Sequence, residues 1–141
     1  MKKKIIITGC AFGVIAVIAG AFGAHGLEGA MTAKNLAVWH TAVQYQFYHS
    51  FAILFLSTLT RQHLKLLKHC YYLFSIGIVL FSGSLYLLST AELTNWSWVP
   101  SIMGPITPIG GVLFIAGWVI LGIAALKISD RGQAPSSRKE H

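Results

Sequence analysis

The charged residues of this chain are confined to a few short segments, and this distribution constrains its fold more than any other feature. Lys, Arg, Asp and Glu are absent from four long stretches: 5–27, 35–60, 69–91 and 93–126. With 55% hydrophobic and 11% charged residues, the chain cannot cover a soluble domain of 141 residues with charge. About 20 consecutive apolar residues suffice to cross a bilayer as a helix. The sequence therefore predicts an all-α integral membrane protein.

Hydropathy predicts one transmembrane domain, residues 1–128, with four spans. They lie at about 5–24, 42–60, 70–89 and 109–126. A short basic connection after the second span makes spans two and three antiparallel neighbours, as in a four-helix bundle. The remaining segment, 129–141, is polar and is expected to be a disordered tail.

The basic residues predict the orientation of the chain. All but one of the 11 Lys and Arg residues fall on one side of the four-span topology, and only Lys34 falls on the other. Basic residues are enriched on the cytoplasmic side of membrane proteins, so we expect both termini in the cytoplasm. Trp39, Trp96 and Trp98 fall at the opposite face and are expected to form an aromatic belt. The formal net charge of +7 is then explained without a nucleic-acid partner.

Two threonines are candidate helix N-caps. Thr32 is expected to cap a short amphipathic helix within 31–40, which would lie at the membrane interface before the second span. Thr107 and Pro108 have the pattern of an N-cap followed by proline at the first helical position. We therefore expect the fourth span to begin there, after a polar loop that starts at Thr90.

Small residues repeat along the first span with a spacing of 4-3-4-3, which places them on one stripe of a helix. They are Gly9, Gly13, Ala16, Gly20 and Gly23. In lipid, helices associate through close packing, and small residues let two backbones approach. The stripe is therefore predicted to pack against a neighbouring helix.

Four residues are candidates for binding. His49 is about 18 Å from the inner boundary of a core about 30 Å thick, counted back from Arg61 at 1.5 Å per residue. An ionisable side chain at that depth is costly and often functional, although hydrogen bonding between helices is an equally good explanation. Tyr45 and Gln44 are polar neighbours of His49. His25 lies at the outer end of the first span, where a surface histidine would be ordinary.

The sequence gives no indication of an enzyme. It has no GxSxG motif and no P-loop, and all four acidic residues lie outside the spans, which also weakens a proton-coupled transporter. His40 and His49 are separated by about 180° around a helix and cannot share an ion. No catalytic residue, metal or cofactor is therefore expected.

Several motifs give the chain a family resemblance. The chain resembles the YgdD/YwdK group of small bacterial inner-membrane proteins, which has a small eukaryotic transmembrane relative. The resemblance rests on Gly23-Ala24-His25-Gly26-Leu27, Tyr45-Gln46-Phe47-Tyr48-His49, Ser82-Gly83-Ser84-Leu85-Tyr86 and Ile106-Thr107-Pro108-Ile109-Gly110-Gly111. The resemblance implies the fold and a location in the bacterial plasma membrane, and it implies no activity.

Two classes of function follow from these observations. The first, which we favour, is a structural or accessory membrane protein whose small-residue faces pack against a further copy or a larger membrane complex. The second is a small oligomeric carrier or channel with a path past His49 and Tyr45. The lipid bilayer is the partner common to both.

The predicted orientation can be checked with single cysteines. A membrane-impermeant thiol reagent added to intact cells should label Asn95→Cys and should not label Leu66→Cys, because the second position lies in the basic cytoplasmic connection. Permeabilised cells provide the control for reactivity at position 66. Labelling of Leu66→Cys in intact cells would contradict the orientation.

Overall fold

The computed structural model describes residues 2–59 and 64–127, which form four α-helices. Helix α1 spans Lys2–Phe22 and continues into a π-helical turn, Gly23–Leu27. The others are α2, Ala33–Leu56; α3, Leu64–Thr90; and α4, Val99–Leu126. The prediction of an all-helical, four-helix fold is confirmed. The predicted tail, 129–141, lies outside the described residues.

The helices pack in chain order, and each is antiparallel to the next. Near one end of the bundle Trp39 of α2 contacts Gly23 of α1 and Tyr86 of α3. Towards the other end Phe74 of α3 packs against Gly117 of α4. We call these the loop end, where α1 joins α2 and α3 joins α4, and the terminal end, where α1 begins and α4 finishes.

Three segments of the described chain are long and apolar enough to cross a membrane. They are Lys2–Leu27, Lys65–Thr90 and Val99–Leu126. Helix α2 is about 36 Å long at 1.5 Å per residue, which also suffices for a span. Its composition is more polar, and the polar side chains of Gln46, His49 and Ser50 are buried inside the bundle.

The predicted interfacial helix is not a separate element. Residues 33–56 form one continuous helix because the segment contains no glycine or proline to interrupt it. Thr32 caps this helix as predicted, with its hydroxyl accepting a hydrogen bond from the Asn35 amide at 3.2 Å. Trp39 lies between α1 and α3 and does not join a belt at the surface, whereas Trp96 and Trp98 are exposed.

The prediction that Thr107 is the N-cap of the fourth helix is wrong. Helix α4 begins at Val99, and Pro105 and Pro108 lie inside it. Proline removes a backbone donor, but in membrane helices nearby hydroxyl groups and neighbouring helices satisfy the freed groups. Thr107 lies in this segment, with its hydroxyl 2.7 Å from the Ser84 hydroxyl of α3 and 3.2 Å from the Met103 carbonyl.

The small-residue stripe of α1 contacts α2 at some positions and not at others. A Cβ added to Gly9 would lie 2.7 Å from Leu54, and one added to Gly23 would lie 2.8 Å from Trp39. Ala16 is fully buried, and Gly20 leaves ordinary contact distance to α2.

Gly13 does not fit the predicted packing stripe. A Cβ added there would meet nothing within 4 Å in the described part of the chain, so the packing prediction is wrong at this position. Beside this turn α2 presents the long side chain of Gln46, which reaches the Phe12 carbonyl at 2.8 Å. A side chain therefore spans the gap, and the two backbones need not approach.

Phenylalanines packed against glycines join α3 to α4. Phe114 occupies the space beside Gly77, and Phe74 occupies the space beside Gly117. At Gly110 the close neighbour is backbone, since an added Cβ would lie 2.5 Å from the backbone nitrogen of Phe81. Such contact requires a residue without a side chain.

We expect Gly110→Ala to destabilise the bundle, because the new methyl group would meet backbone that cannot move aside. Overpacking of this kind costs about 1–3 kcal/mol. Gly122→Ala on the same helix is the matched control, since its added Cβ meets nothing within 4 Å in the described chain. Thermal unfolding of both variants in one detergent measures the difference, and equal melting temperatures would contradict this packing.

Candidate functional site

His49 lies on the buried face of α2, where α2 meets α3 and α4. Its side chain is 4% exposed. The helical repeat brings it to this face together with Gln46, Ile53 and Leu56, all of which are buried. The histidine therefore faces the other helices and not lipid, as its position in the sequence predicted.

Both ring nitrogens of His49 are hydrogen-bonded. The indole nitrogen of Trp118 lies 3.2 Å from Nε2, and Nδ1 lies 2.8 Å from the carbonyl of Tyr45. An indole N–H can only donate, so Nε2 must be the unprotonated nitrogen. The proton is then on Nδ1 and is donated to the Tyr45 carbonyl. The geometry therefore defines a neutral imidazole in a single tautomer.

The His49 ring also belongs to an aromatic cluster that joins three helices. It is stacked on Phe114 with ring centroids 3.4 Å apart and an interplanar angle of 7°. Phe74 of α3 lies 5.6 Å away, centroid to centroid. The cluster consists of Tyr45 and His49 from α2, Phe74 and Phe81 from α3, and Phe114 and Trp118 from α4. Stacked aromatic pairs of this kind stabilise packing beyond the area they bury.

The structure brings together only part of the predicted site. Tyr45 is beside His49, and its ring packs on Phe81 with centroids 4.7 Å apart. Gln44 is exposed and is not part of the aromatic cluster. His25 is exposed in the π-helical turn at the loop end.

Gln46, which the sequence analysis did not select, joins three helices. Its side chain is 2% exposed. The amide nitrogen donates to the Phe12 carbonyl of α1 at 2.8 Å, and the amide oxygen accepts from the Tyr86 hydroxyl of α3 at 3.0 Å. The sequence did contain one indication that Gln46 is buried with His49. Gln46 lies three residues before His49 and therefore shares its helix face.

Trp39 makes a second bond from α2 to the backbone of α1. Its indole nitrogen donates to the Ala19 carbonyl at 2.8 Å, and its ring packs on Tyr86 with centroids 4.6 Å apart. Trp39 and Gln46 therefore both use main-chain oxygens of α1 as acceptors. These two hydrogen bonds join α2 to α1 at two levels along the bundle.

The described residues contain no group of three His, Cys, Asp or Glu side chains that could hold a metal ion. His49 could not ligate a metal without giving up its bond to Trp118 or to the Tyr45 carbonyl. Cys10 is exposed and Cys70 is buried, and both are free thiols.

Comparison with known proteins places these features in a family. Residues 19–111 match the family described as a protein of unknown function, DUF423. The membrane protein YwdK of Bacillus subtilis is 44% identical over 127 residues, which are 89% of this chain and 98% of YwdK. The inner membrane protein YgdD of Escherichia coli is 36% identical over 132 residues, 93% of this chain and 95% of YgdD.

The chain belongs to this family. YwdK and YgdD both carry the designation UPF0382. A membrane protein of Staphylococcus saprophyticus with the same designation is 44% identical to this chain over 126 residues. The predicted resemblance and the membrane fold are thereby confirmed, and the chain is a multi-pass protein of the bacterial inner membrane. No solved structure matches it.

We expect Trp118→Phe to destabilise the bundle, because it removes the donor to His49 and leaves Nε2 buried without a partner. Hydrogen bonds between membrane helices average about 0.6 kcal/mol and reach about 1.7 kcal/mol, and the loss should lie in this range. Trp98→Phe makes the same chemical change at an exposed ring and is the control. Reversible unfolding in detergent measures both, and an equal effect of the two substitutions would rule out the bond.

Proposed function

We propose that this chain is a non-enzymatic structural or accessory protein of the plasma membrane, which acts by packing against other proteins. The observation that carries the proposal is the state of His49. Both of its ring nitrogens are hydrogen-bonded within the bundle, and its ring is stacked on Phe114. A histidine bound in this way holds helices together.

The other buried polar side chains of α2 support the same function. The side-chain amide of Gln46 is hydrogen-bonded through both its nitrogen and its oxygen, and the Ser50 hydroxyl donates to the backbone carbonyl of Gln46 at 2.6 Å. A group that relays protons or binds a passing solute must exchange partners during the process. Gln46 and His49 would have to break hydrogen bonds to other helices in order to do so.

We also propose that both termini lie in the cytoplasm. Lys2, Lys65, Lys68 and Lys127 lie at the terminal end of the bundle, whereas Lys34 lies at the loop end. The positive-inside rule supports a cytoplasmic terminal end.

A small carrier or channel is the second candidate function, and one observation favours it. The hydroxyl oxygens of Ser75 and Ser82 on α3 are buried and have no hydrogen-bond partner in the described chain. Unsatisfied buried polar groups are uncommon in native proteins and require an explanation. A path that carries water or a polar solute past α3 in another conformation would supply their partners.

Flux through proteoliposomes distinguishes the two functions. We expect wild-type protein to raise the permeability to protons, K⁺ and small neutral solutes no more than protein-free vesicles do, with a protonophore or an ionophore as the positive control. His49→Gln should behave like the wild type. Flux above that of protein-free vesicles that is lost in His49→Gln, while the melting temperature is retained, would overturn the proposal in favour of a conduit.

A further inference from the structure

Helices α1 and α3 both begin at the terminal end of the bundle, and each carries exposed lysines in its first two turns. They are Lys2, Lys3 and Lys4 on α1, and Lys65 and Lys68 on α3. The two acidic residues that the structure describes, Glu28 and Glu92, lie at the loop end. Outside the described ranges the sequence has four basic and two acidic residues, so it does not offset this charge. The terminal end therefore attracts anions.

A pair of hydroxyl groups joins α1 to α3 next to these lysines. Thr8 Oγ1 lies 2.9 Å from the hydroxyl oxygen of Tyr71, and either group can be the donor. Both side chains are partly exposed. Two hydroxyls carry two hydrogens, and their mutual bond uses one of them. Neither group makes another hydrogen bond in the described part of the chain, so one O–H is without an acceptor.

Two of the lysines share the helix faces of this hydroxyl pair. Lys4 lies four residues before Thr8, and Lys68 lies three residues before Tyr71, so each lysine is on the same face of its helix as the hydroxyl. The Lys68 ammonium is 6.0 Å from the ring centroid of Tyr72. That ring packs on the ring of Tyr71 with centroids 5.1 Å apart. Charge and hydroxyl groups are thus brought together where α1 meets α3.

Their spacing along the helix axes fits the polar part of a phospholipid. At 1.5 Å per residue, Lys4 is about 6 Å from Thr8, and Lys68 is about 4.5 Å from Tyr71. The interfacial layer between hydrocarbon and water is about 5–8 Å deep on each side of a bilayer. Lysines at its outer edge meet lipid phosphates, and hydroxyls at its inner edge meet the esters that join the acyl chains to glycerol. An ester carbonyl can only accept, so it complements the remaining O–H.

We propose that Lys4, Thr8, Lys68 and Tyr71 bind one anionic phospholipid between α1 and α3. The two ammonium groups contact the lipid phosphate, and the hydroxyl pair donates to an ester carbonyl. A zwitterionic lipid fits less well because its own ammonium group is repelled by the lysines, and a free phosphate ion has no ester for the hydroxyl pair. The site is separate from the aromatic cluster around His49. It depends neither on the function proposed above nor on the orientation of the chain.

Native mass spectrometry of the full-length chain in detergent tests the charge contacts. Phosphatidylglycerol and phosphatidylcholine with the same acyl chains are added over a range of concentrations. Wild-type protein should retain phosphatidylglycerol in preference to phosphatidylcholine. Lys4→Gln and Lys68→Gln should each raise the dissociation constant for phosphatidylglycerol about five-fold, the effect of one lysine at an anionic lipid surface.

The chain offers two matched controls for these substitutions. Lys3→Gln removes the same charge at the same end, but Lys3 lies five residues before Thr8 and is therefore about 140° away around the helix. Lys34→Gln removes a charge at the loop end. Both should change the dissociation constant little, because salt screens charges that do not contact the lipid. Melting temperatures equal to that of the wild type would show that all four variants are folded.

A lipid without esters tests the hydroxyl contact. Diether phosphatidylglycerol keeps the phosphate and lacks the carbonyl groups, so wild-type protein should bind it about three- to twenty-fold more weakly than the diester lipid, the range of a hydrogen bond in a membrane. The double variant Thr8→Val with Tyr71→Phe should bind both lipids equally. Tyr72→Phe removes a hydroxyl from the neighbouring ring, leaves the pair intact and should keep the preference.

Three outcomes would overturn the proposal. One is wild-type protein that retains phosphatidylcholine as well as it retains phosphatidylglycerol, or retains neither. Another is an equal effect of Lys3→Gln and Lys4→Gln, which would show attraction to the whole charged end and no site between α1 and α3. The last is wild-type protein that binds the diester and diether lipids equally, a result that does not depend on the stability of any variant.

Discussion

The hydrocarbon of the bilayer offers no hydrogen-bond partners, and the fold depends on how α2 meets this constraint. Helix α2 is less apolar in composition than the other helices, yet it must lie in the same membrane. Gln46 and Trp39 donate to main-chain oxygens of α1, and Gln46 also accepts from Tyr86 of α3. The bonds that make α2 tolerable in lipid are therefore the same bonds that hold α1 and α3 against it.

On the side of α2 that faces α4, aromatic side chains pack around and hydrogen-bond to the buried polar side chain of His49. His49 is stacked on Phe114 and bonded to Trp118, so α4 is joined to α2 through side chains. Glycines of α3 and α4 make room for the phenylalanines of this cluster, as at Gly77 and Gly117. A larger residue at one of these glycines would therefore disturb the packing of His49, because the aromatic rings pack against one another.

These arrangements connect the fold to the proposed function. A conduit requires polar groups that are free to exchange partners, whereas the buried side chains of Gln46 and His49 are hydrogen-bonded to neighbouring helices. The interior of the bundle is therefore suited to rigidity.

The sequence alone determined the class of the protein and several local features. The uncharged stretches predicted the helices, and the spacing of Thr32 before α2 predicted the cap that the structure contains. The sequence also placed His49 on an inward face. Each of these depends on neighbours along the chain, and such local relations can be read from hydropathy and helical period.

Only the tertiary structure decided which apolar surfaces meet. In a membrane both the lipid-facing and the buried side chains are apolar, so hydropathy does not distinguish the packed face from the outer one. Gly13 shares the spacing of Gly9 but meets no neighbouring helix in the described chain, and Gln46 finds its partners on two other helices. The start of α4 at Val99, with Pro105 and Pro108 inside the helix, was likewise not evident from the sequence. Contacts between residues distant in sequence are set by helix placement, which no local pattern encodes.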